Sequence, residues 1–237
     1  MIHRSKHAKA GRRLSALATT LPLLLAGCAT SPETRFYLLK PIAEKAADST
    51  ASAIPAGTTL SVRPVRLPTY LRRPQIVTRT DSQEVDLAKF DRWAEPLGET
   101  VTAVIVDNLR LLLPDSRIVM SHWQPGVEAQ RELDVFIRQL DGRLGTDVTL
   151  KADWILRNPD DGTEIATGQI TCTEDIDGSR QRSSSGLQPE CLSGKARGTD
   201  SRATGDRNID GYDALTAAMN RLLLHLCHKI AAASVKQ

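Results

Sequence analysis

Leu133-Asp134-Val135-Phe136-Ile137-Arg138-Gln139-Leu140, then Asp141-Gly142-Arg143-Leu144-Gly145, then Thr146-Asp147-Val148-Thr149-Leu150-Lys151-Ala152-Asp153-Trp154-Ile155-Leu156 is the stretch that decides the fold. Two alternating apolar and polar runs flank a block of turn residues, which is the pattern of a long β-hairpin. Asn158-Pro159-Asp160-Asp161-Gly162 is a second turn. Glu164 to Cys172 then returns as a third antiparallel strand, so residues 133 to 173 read as a meander.

Downstream, the composition changes. Glu174 to Asn208 is Ser, Gly, Arg and Asp with almost nothing apolar, and reads as a long mobile loop. Tyr212 to Ala233 places Tyr212, Leu215, Met219, Leu222, Leu226 and Ile230 at helical spacing, the pattern of a core helix.

Upstream of the meander, Arg117 to Met120 reads as a short buried strand. From Glu95 to Pro114 the period is 3.6, with Leu97, Val101, Val104, Ile105, Leu109 and Leu112 on one stripe. Pro96 near the first turn costs no hydrogen bond, and Glu95 and Glu99 suit the positive end of the helix dipole. Gln75 to Thr80 and Glu84 to Phe90 form a hairpin about Asp81-Ser82. Thr58 to Val65 is a strand whose continuation is kept extended by Pro64 and Pro68. Ala46 to Gly57 is a small-residue linker read as an exposed loop, and Phe36 to Leu39 is a strand. The fold class is α/β, or α+β by element order: one domain, 36–237, with a mixed, largely antiparallel sheet packed by two amphipathic helices.

The N-terminus carries a different signal. Arg4, Lys6, Lys9, Arg12 and Arg13 precede an apolar run from Leu14 to Leu25, and Leu25-Ala26-Gly27-Cys28 closes it. A basic region, a short apolar region and small residues before a cysteine are the layout of a lipoprotein signal, with 1–27 removed, Cys28 acylated and 28–35 a lipidated tether. Two or three acyl chains, at about 0.8 kcal/mol per buried methylene, hold a protein to a membrane durably. Residue 29 is Ala rather than Asp, which favours the outer membrane over retention at the inner one.

Removing the leader changes the charge. The chain has 31 basic and 28 acidic residues; without the five basic residues of the leader the balance is 26 to 28. A net charge near −2, with no Lys/Arg block interleaved with aromatics, argues against nucleic acid.

Three cysteines remain beyond Cys28 in an oxidising compartment: Cys172, Cys191 and Cys227. Cys172 and Cys191 are separated by 18 residues. They form either a disulfide, worth about 3 kcal/mol for a loop of that size, or two unpaired thiols. Cys227 lies on the apolar side of the last helix, where a free cysteine behaves as a small hydrophobe. His225 and His228 flank it one turn apart, but no further ligand is near and a structural role is favoured over a metal.

Catalytic constellations are absent from the sequence. It carries no GxSxG, HExxH, phosphate-binding glycine loop or paired CxxC, and no cofactor is expected. Asp91, Asp107, Asp134, Asp147 and Asp153 show no spacing that would bring them together, and His122 beside Trp123 lacks a partner. No catalytic residue and no metal ligand is assigned, and the chain is not read as an enzyme.

The segment from Val65 to Leu97 is the exception to this plainness. It concentrates Arg66, Pro68, Tyr70, Leu71, Arg73, Pro74, Gln75, Arg79, Arg92, Trp93 and Glu95. Arg, Tyr and Trp are enriched where proteins anchor one another, and prolines preset an extended path that loses little entropy on binding. These residues are the candidate partner interface. The competing reading is that Trp93 caps the core and the arginines face water.

Val65-Arg66-Leu67-Pro68-Thr69-Tyr70-Leu71, Arg73-Pro74-Gln75-Ile76-Val77-Thr78-Arg79 and Phe90-Asp91-Arg92-Trp93-Ala94-Glu95-Pro96-Leu97 resemble the PqiC family, the ABC-type transport auxiliary lipoproteins. Phe36-Tyr37-Leu38-Leu39, Ala152-Asp153-Trp154 and Gly211-Tyr212-Asp213-Ala214-Leu215 extend the likeness over nearly all the mature chain. The resemblance implies an outer-membrane lipoprotein facing the periplasm. Its implied partner is an MCE-domain, PqiB-like transporter subunit that moves lipids between membranes. It also implies a three-layer α/β/α arrangement and, in some members, a homo-oligomeric ring. Arg72 departs from the small or acidic residue of many relatives, and the 174–208 loop is longer than expected. The implied role is a non-enzymatic adaptor; the alternative is a lipid-binding lipoprotein with its own apolar cavity.

Overall fold

Burial along the chain follows the alternation that marks the meander, in a computed structural model that describes residues 32–42, 54–80, 83–121, 127–176, 190–191 and 210–233. The elements run β1 (Arg35–Tyr37), β2 (Thr59–Val62), a 3-10 turn (Thr69–Leu71), β3 (Gln75–Arg79), β4 (Val85–Trp93) and α1 (Leu97–Leu112). They continue as β5 (Arg117–Met120), β6 (Arg131–Arg143), β7 (Asp147–Arg157), β8 (Glu164–Asp175), β9 (Glu190–Cys191) and α2 (Asp210–Ala231). Cys28, His122, the turn at 81–82 and most of the 174–208 loop lie outside the described residues.

A six-stranded sheet has the order β5-β2-β6-β7-β8-β9, and a three-stranded sheet the order β1-β4-β3. β2 lies parallel to both β5 and β6, while β6 to β9 are antiparallel. In β7, Val148, Leu150, Ala152, Trp154 and Leu156 are buried and their register partners in β8 include Cys172, Ile170 and Ala166. This face meets α2, which contacts β6, β7 and β8 and packs along α1.

The fold class expected from the sequence is the one observed: two helices on a mixed, largely antiparallel sheet in an α+β unit. The two described helices pack against each other. The opposite face of β7 and β8 is half-exposed, with the Thr149 and Thr173 hydroxyls 3.0 Å apart.

The turn expected at 141–145 lies farther along the chain. Asp141 and Gly142 are strand residues paired with Thr149 and Val148, and β6 turns only at Leu144-Gly145-Thr146. Gly145 has φ 73° at the third position of the Arg143–Thr146 turn, which the Thr146 N–H closes on the Arg143 carbonyl at 3.0 Å, a conformation that favours glycine. Likewise the polar 174–208 stretch is not structureless throughout, since β9 pairs with β8 and sets Cys191 opposite Cys172. Cys172 is disulfide-bonded, and Cys227 is free and buried.

The helices also fix the chain that follows β1. The Asn220 Oδ1 accepts from the Lys40 N–H at 3.0 Å, and the fully buried Asn108 Oδ1 accepts from Ile42 N–H at 3.1 Å. β1 is thereby held to both α1 and α2, although its ladder is only three residues long.

Candidate functional site: an arginine-rimmed cleft

Past Val62 the chain leaves the β2 ladder but keeps beside β6, with Arg63 and Arg66 N–H groups donating to the Leu133 and Val135 carbonyls. Pro64 can make no such bond, and Val65 turns instead to α1, where its N–H donates to Thr102 Oγ1 at 3.0 Å. Thr102 in turn donates to the Gly98 carbonyl at 2.7 Å. On the far side, the Trp93 N–H donates to the Pro74 carbonyl at 2.7 Å, joining the end of β4 to the start of β3.

Between these walls lies a cleft of about 980 Å³. Its floor includes Val65, Leu67, Trp93 and Leu97, all buried. Its rim includes Arg63, Arg66, Arg72 and Arg73, with Glu95 and Glu99 as the acids among the lining residues. The arrangement joins an apolar base to a mainly cationic edge, the complement of an amphipathic or acidic segment.

Several of these arginines are held from behind. Asp134, 3% exposed, receives Arg157 Nη1 at 2.7 Å and Arg63 Nε at 3.4 Å. Arg63 also donates to Glu132 at 3.1 Å, and these acids hold its guanidinium pKa above the ordinary value. Arg66 stacks over the Phe136 ring at 4.6 Å, an arrangement favoured by the ring quadrupole. The Arg72 Nε donates to the Leu67 carbonyl at 3.0 Å. Arg73 stands exposed at the rim.

Of the residues expected at a partner surface, Arg66, Arg73, Pro74, Trp93 and Glu95 line the cleft. Trp93 is 5% exposed, so it is a core side chain that also forms a wall. Pro68, Tyr70, Leu71, Gln75, Arg79 and Arg92 are not among the residues lining the cleft. Leu71 is 2% exposed. Tyr70 donates its hydroxyl to Asp141 at 2.5 Å, and its own pKa is pushed up to about 12 by burial and that carboxylate. Arg79 donates to the same carboxylate, and Gln75 pairs with Arg92 across the β3–β4 ladder. Pro68 precedes the 3-10 turn.

Arg63, Pro64, Gly98, Glu99 and Thr102 also line the cleft, outside the candidate set that the sequence suggests. A signal existed for Gly98 and Thr102, four residues apart on one face of a helix directly after the conspicuous segment. Arg63 and Pro64 adjoin that segment at its other end.

The carboxylates without apparent convergence are each paired with arginine: Asp91 with Arg35, Asp107 with Arg110, Asp134 with Arg63 and Arg157, Asp147 with Arg143, and Asp153 with Arg138. Among the described residues no group of three or more His, Cys, Asp or Glu is placed to hold a metal ion, and no helix is long and apolar enough to cross a membrane.

Comparison with known proteins joins this geometry to a lineage. The chain is 31% identical over 142 residues to the intermembrane transport lipoprotein PqiC of Escherichia coli (strain K12), covering 60% of this chain and 73% of that protein. The PqiC of Shigella flexneri matches to the same extent. A crystal structure of an uncharacterized protein shares the fold at a TM-score of 0.58 with 18% identity, covering 84% of this chain and 97% of the other. A Xanthomonas campestris protein does so at 0.55 with 12% identity, over 83% and 93%. The family model for the ABC-type transport auxiliary lipoprotein component matches residues 37–184, a span that holds the whole cleft and the meander. With that match over more than half its length, the chain belongs to the ABC-type transport auxiliary lipoprotein component family.

Proposed function

We propose that this protein is a non-enzymatic docking subunit of a Pqi-type intermembrane lipid transport system. Acylated Cys28 anchors it to the outer membrane facing the periplasm, and the cleft seats an MCE-domain, PqiB-like transporter subunit. The observation that carries the reading is the cleft itself. The segment with the family likeness folds into one open concavity with a buried indole in its wall and a cationic rim. An apolar base inside a polar rim is the usual anatomy of a protein-binding surface.

The test uses acylated full-length protein captured from detergent-solubilised membranes. Recovery of an MCE-domain protein with the wild-type chain, lost with Arg73→Glu at unchanged melting temperature, supports the reading. Failure of the wild-type chain to recover any MCE-domain protein sinks it. Surface changes of this kind typically alter stability by less than about 0.5 kcal/mol, which keeps the two readouts separate. A homo-oligomeric ring belongs to the same proposal and is read from the mass of the detergent complex.

The apolar floor of the cleft favours a second reading, in which the cleft holds a lipid chain directly. Native mass spectrometry distinguishes the two, because co-purifying phospholipid that disappears on Leu97→Asp is expected only for a lipid carrier.

A further inference from the structure

The outer face of the three-stranded sheet carries the most exposed aromatic surface of the described residues. Phe36 stands opposite Arg92 in the parallel β1–β4 ladder and is 65% exposed. Leu38, two residues on, is 45% exposed, and Phe90, two residues before Arg92, is 37% exposed. Strand alternation puts Phe36 and Phe90 on one side and Tyr37, Asp91 and Trp93 on the other, and those three are buried. The chain has only 3 phenylalanines, so two of them on one open face is a costly arrangement for a surface that meets nothing but water.

Position in the chain indicates what covers this face. Cys28 lies seven residues before Arg35. Seven residues, even fully extended, span at most ~25 Å. An acylated Cys28 therefore keeps β1 close to the bilayer, and Phe36 is among the first residues of the folded body to meet it. The bonds from Lys40 and Ile42 to Asn220 and Asn108 tie the chain after β1 to both helices, so the strand cannot swivel independently of the domain. Arg92, which shares this face directly opposite Phe36, is only half-exposed, so apolar groups make up the more exposed surface and favour an apolar contact over an electrostatic one.

We propose that Phe36, Leu38 and Phe90 form a second, non-covalent membrane contact, laying the small sheet on the bilayer that carries the anchor. The inference rests on the reading of Cys28 as the acylated residue. Its consequence is orientation. Trp93 points to the opposite side of β4 from Arg92, so a domain resting on the Phe36 face turns the cleft wall away from the lipid and toward a partner arriving from the aqueous side.

The experiment places an environment-sensitive NBD label on full-length, acylated protein in phosphatidylethanolamine and phosphatidylglycerol vesicles. Phe36→Cys and Leu38→Cys carry the label at the face; Asp160→Cys in the β7–β8 turn is the control. Cys227 is buried and its thiol is pushed well above the usual range, so it does not compete for the reagent. The expected result is blue-shifted emission and several-fold stronger quenching by brominated lipid at positions 36 and 38 than at 160, unchanged by high salt. Protein that floats with the vesicles while both face labels stay unquenched overturns the docking and leaves the anchor standing. Protein that does not float overturns both. Protection that grows with protein density without lipid quenching assigns the face to a second copy of the chain and also overturns the proposal.

Discussion

Arg79 on β3 reaches the fully buried carboxylate of Asp141 on β6, Nε to Oδ1 at 2.5 Å, and so ties the small sheet to the large one. Tyr70 and Gln139 donate to the same carboxylate at 2.5 and 2.9 Å, so the buried Asp141 is surrounded by donors. Removing one partner leaves a buried charge undercompensated, which costs far more than an exposed ion pair contributes. Arg79→Met is expected to destabilise the fold by roughly 3 kcal/mol. Urea titration checks this, and a loss below the uncertainty of the fit would mean that Tyr70 and Gln139 satisfy Asp141 unaided.

Trp93 joins stability to function in one side chain. At 5% exposure it contributes chiefly to the core, so Trp93→Ala is expected to cost about 3 to 5 kcal/mol. Its effect on partner capture is therefore read only after thermal melting shows how much protein stays folded. Trp93→Phe, which keeps most of the buried area, is expected to retain the fold and to weaken capture if the indole itself is the anchor.

Much of this architecture was legible because burial imposes a period. The meander alternates, α1 and α2 repeat at helical spacing, and Arg117–Met120 was bounded correctly from its apolar run. What did not show was pairing between distant segments. No local pattern reveals that β2 lies between β5 and β6, or that Asp141 meets Arg79 across 62 positions. Asp141-Gly142 reads locally as a turn, and only tertiary contact makes it strand. The cleft was half legible for the same reason: its prolines and arginines stand out as a cluster, whereas Thr102 belongs to it only because a helix is folded against it.

Gly168 shows how tight the meander is. It lies opposite Trp154 in the β7–β8 ladder, and a Cβ placed there would come within 2.6 Å of the indole ring. Real side chains do not approach so closely, so Trp154 would have to move within a packed core. Gly168→Ala is expected to destabilise by about 1 to 3 kcal/mol, the usual range for overpacking. Chemical denaturation tests this, and near-ultraviolet dichroism should report the altered indole environment.

The bonded state of Cys172 and the register that sets Cys191 opposite it lead us to propose these two as partners. Non-reducing digestion and mass spectrometry should recover the two peptides joined. For a loop of this size the cross-link is worth about 3 kcal/mol, so the Cys172→Ala, Cys191→Ala double variant should lose that much at most. Recovery of Cys172 linked to Cys227 instead would contradict both the pairing and the burial of Cys227.

The final prediction concerns acid. Burial, reinforced by Lys229 and His228, holds the His225 imidazole below its usual pKa, and its Nε2 is buried with no partner among the described residues. A base whose pKa is depressed in the folded state binds its proton more readily when unfolded. Its contribution to stability is therefore complete above the unfolded value, about 6.5, and is lost as pH falls from there through the folded pKa. Glu174 works in the opposite sense: burial raises its pKa despite the Arg221 partner, so the folded state gains relative stability as pH falls toward about 4.5. The two effects separate by difference. His225→Gln should match wild type closely in slope above pH 6.5 and lose less stability than wild type below it, with a slope difference no larger than about 1.4 kcal/mol per pH unit for one proton. Parallel curves from pH 7 to pH 5 would show that His225 titrates alike in both states.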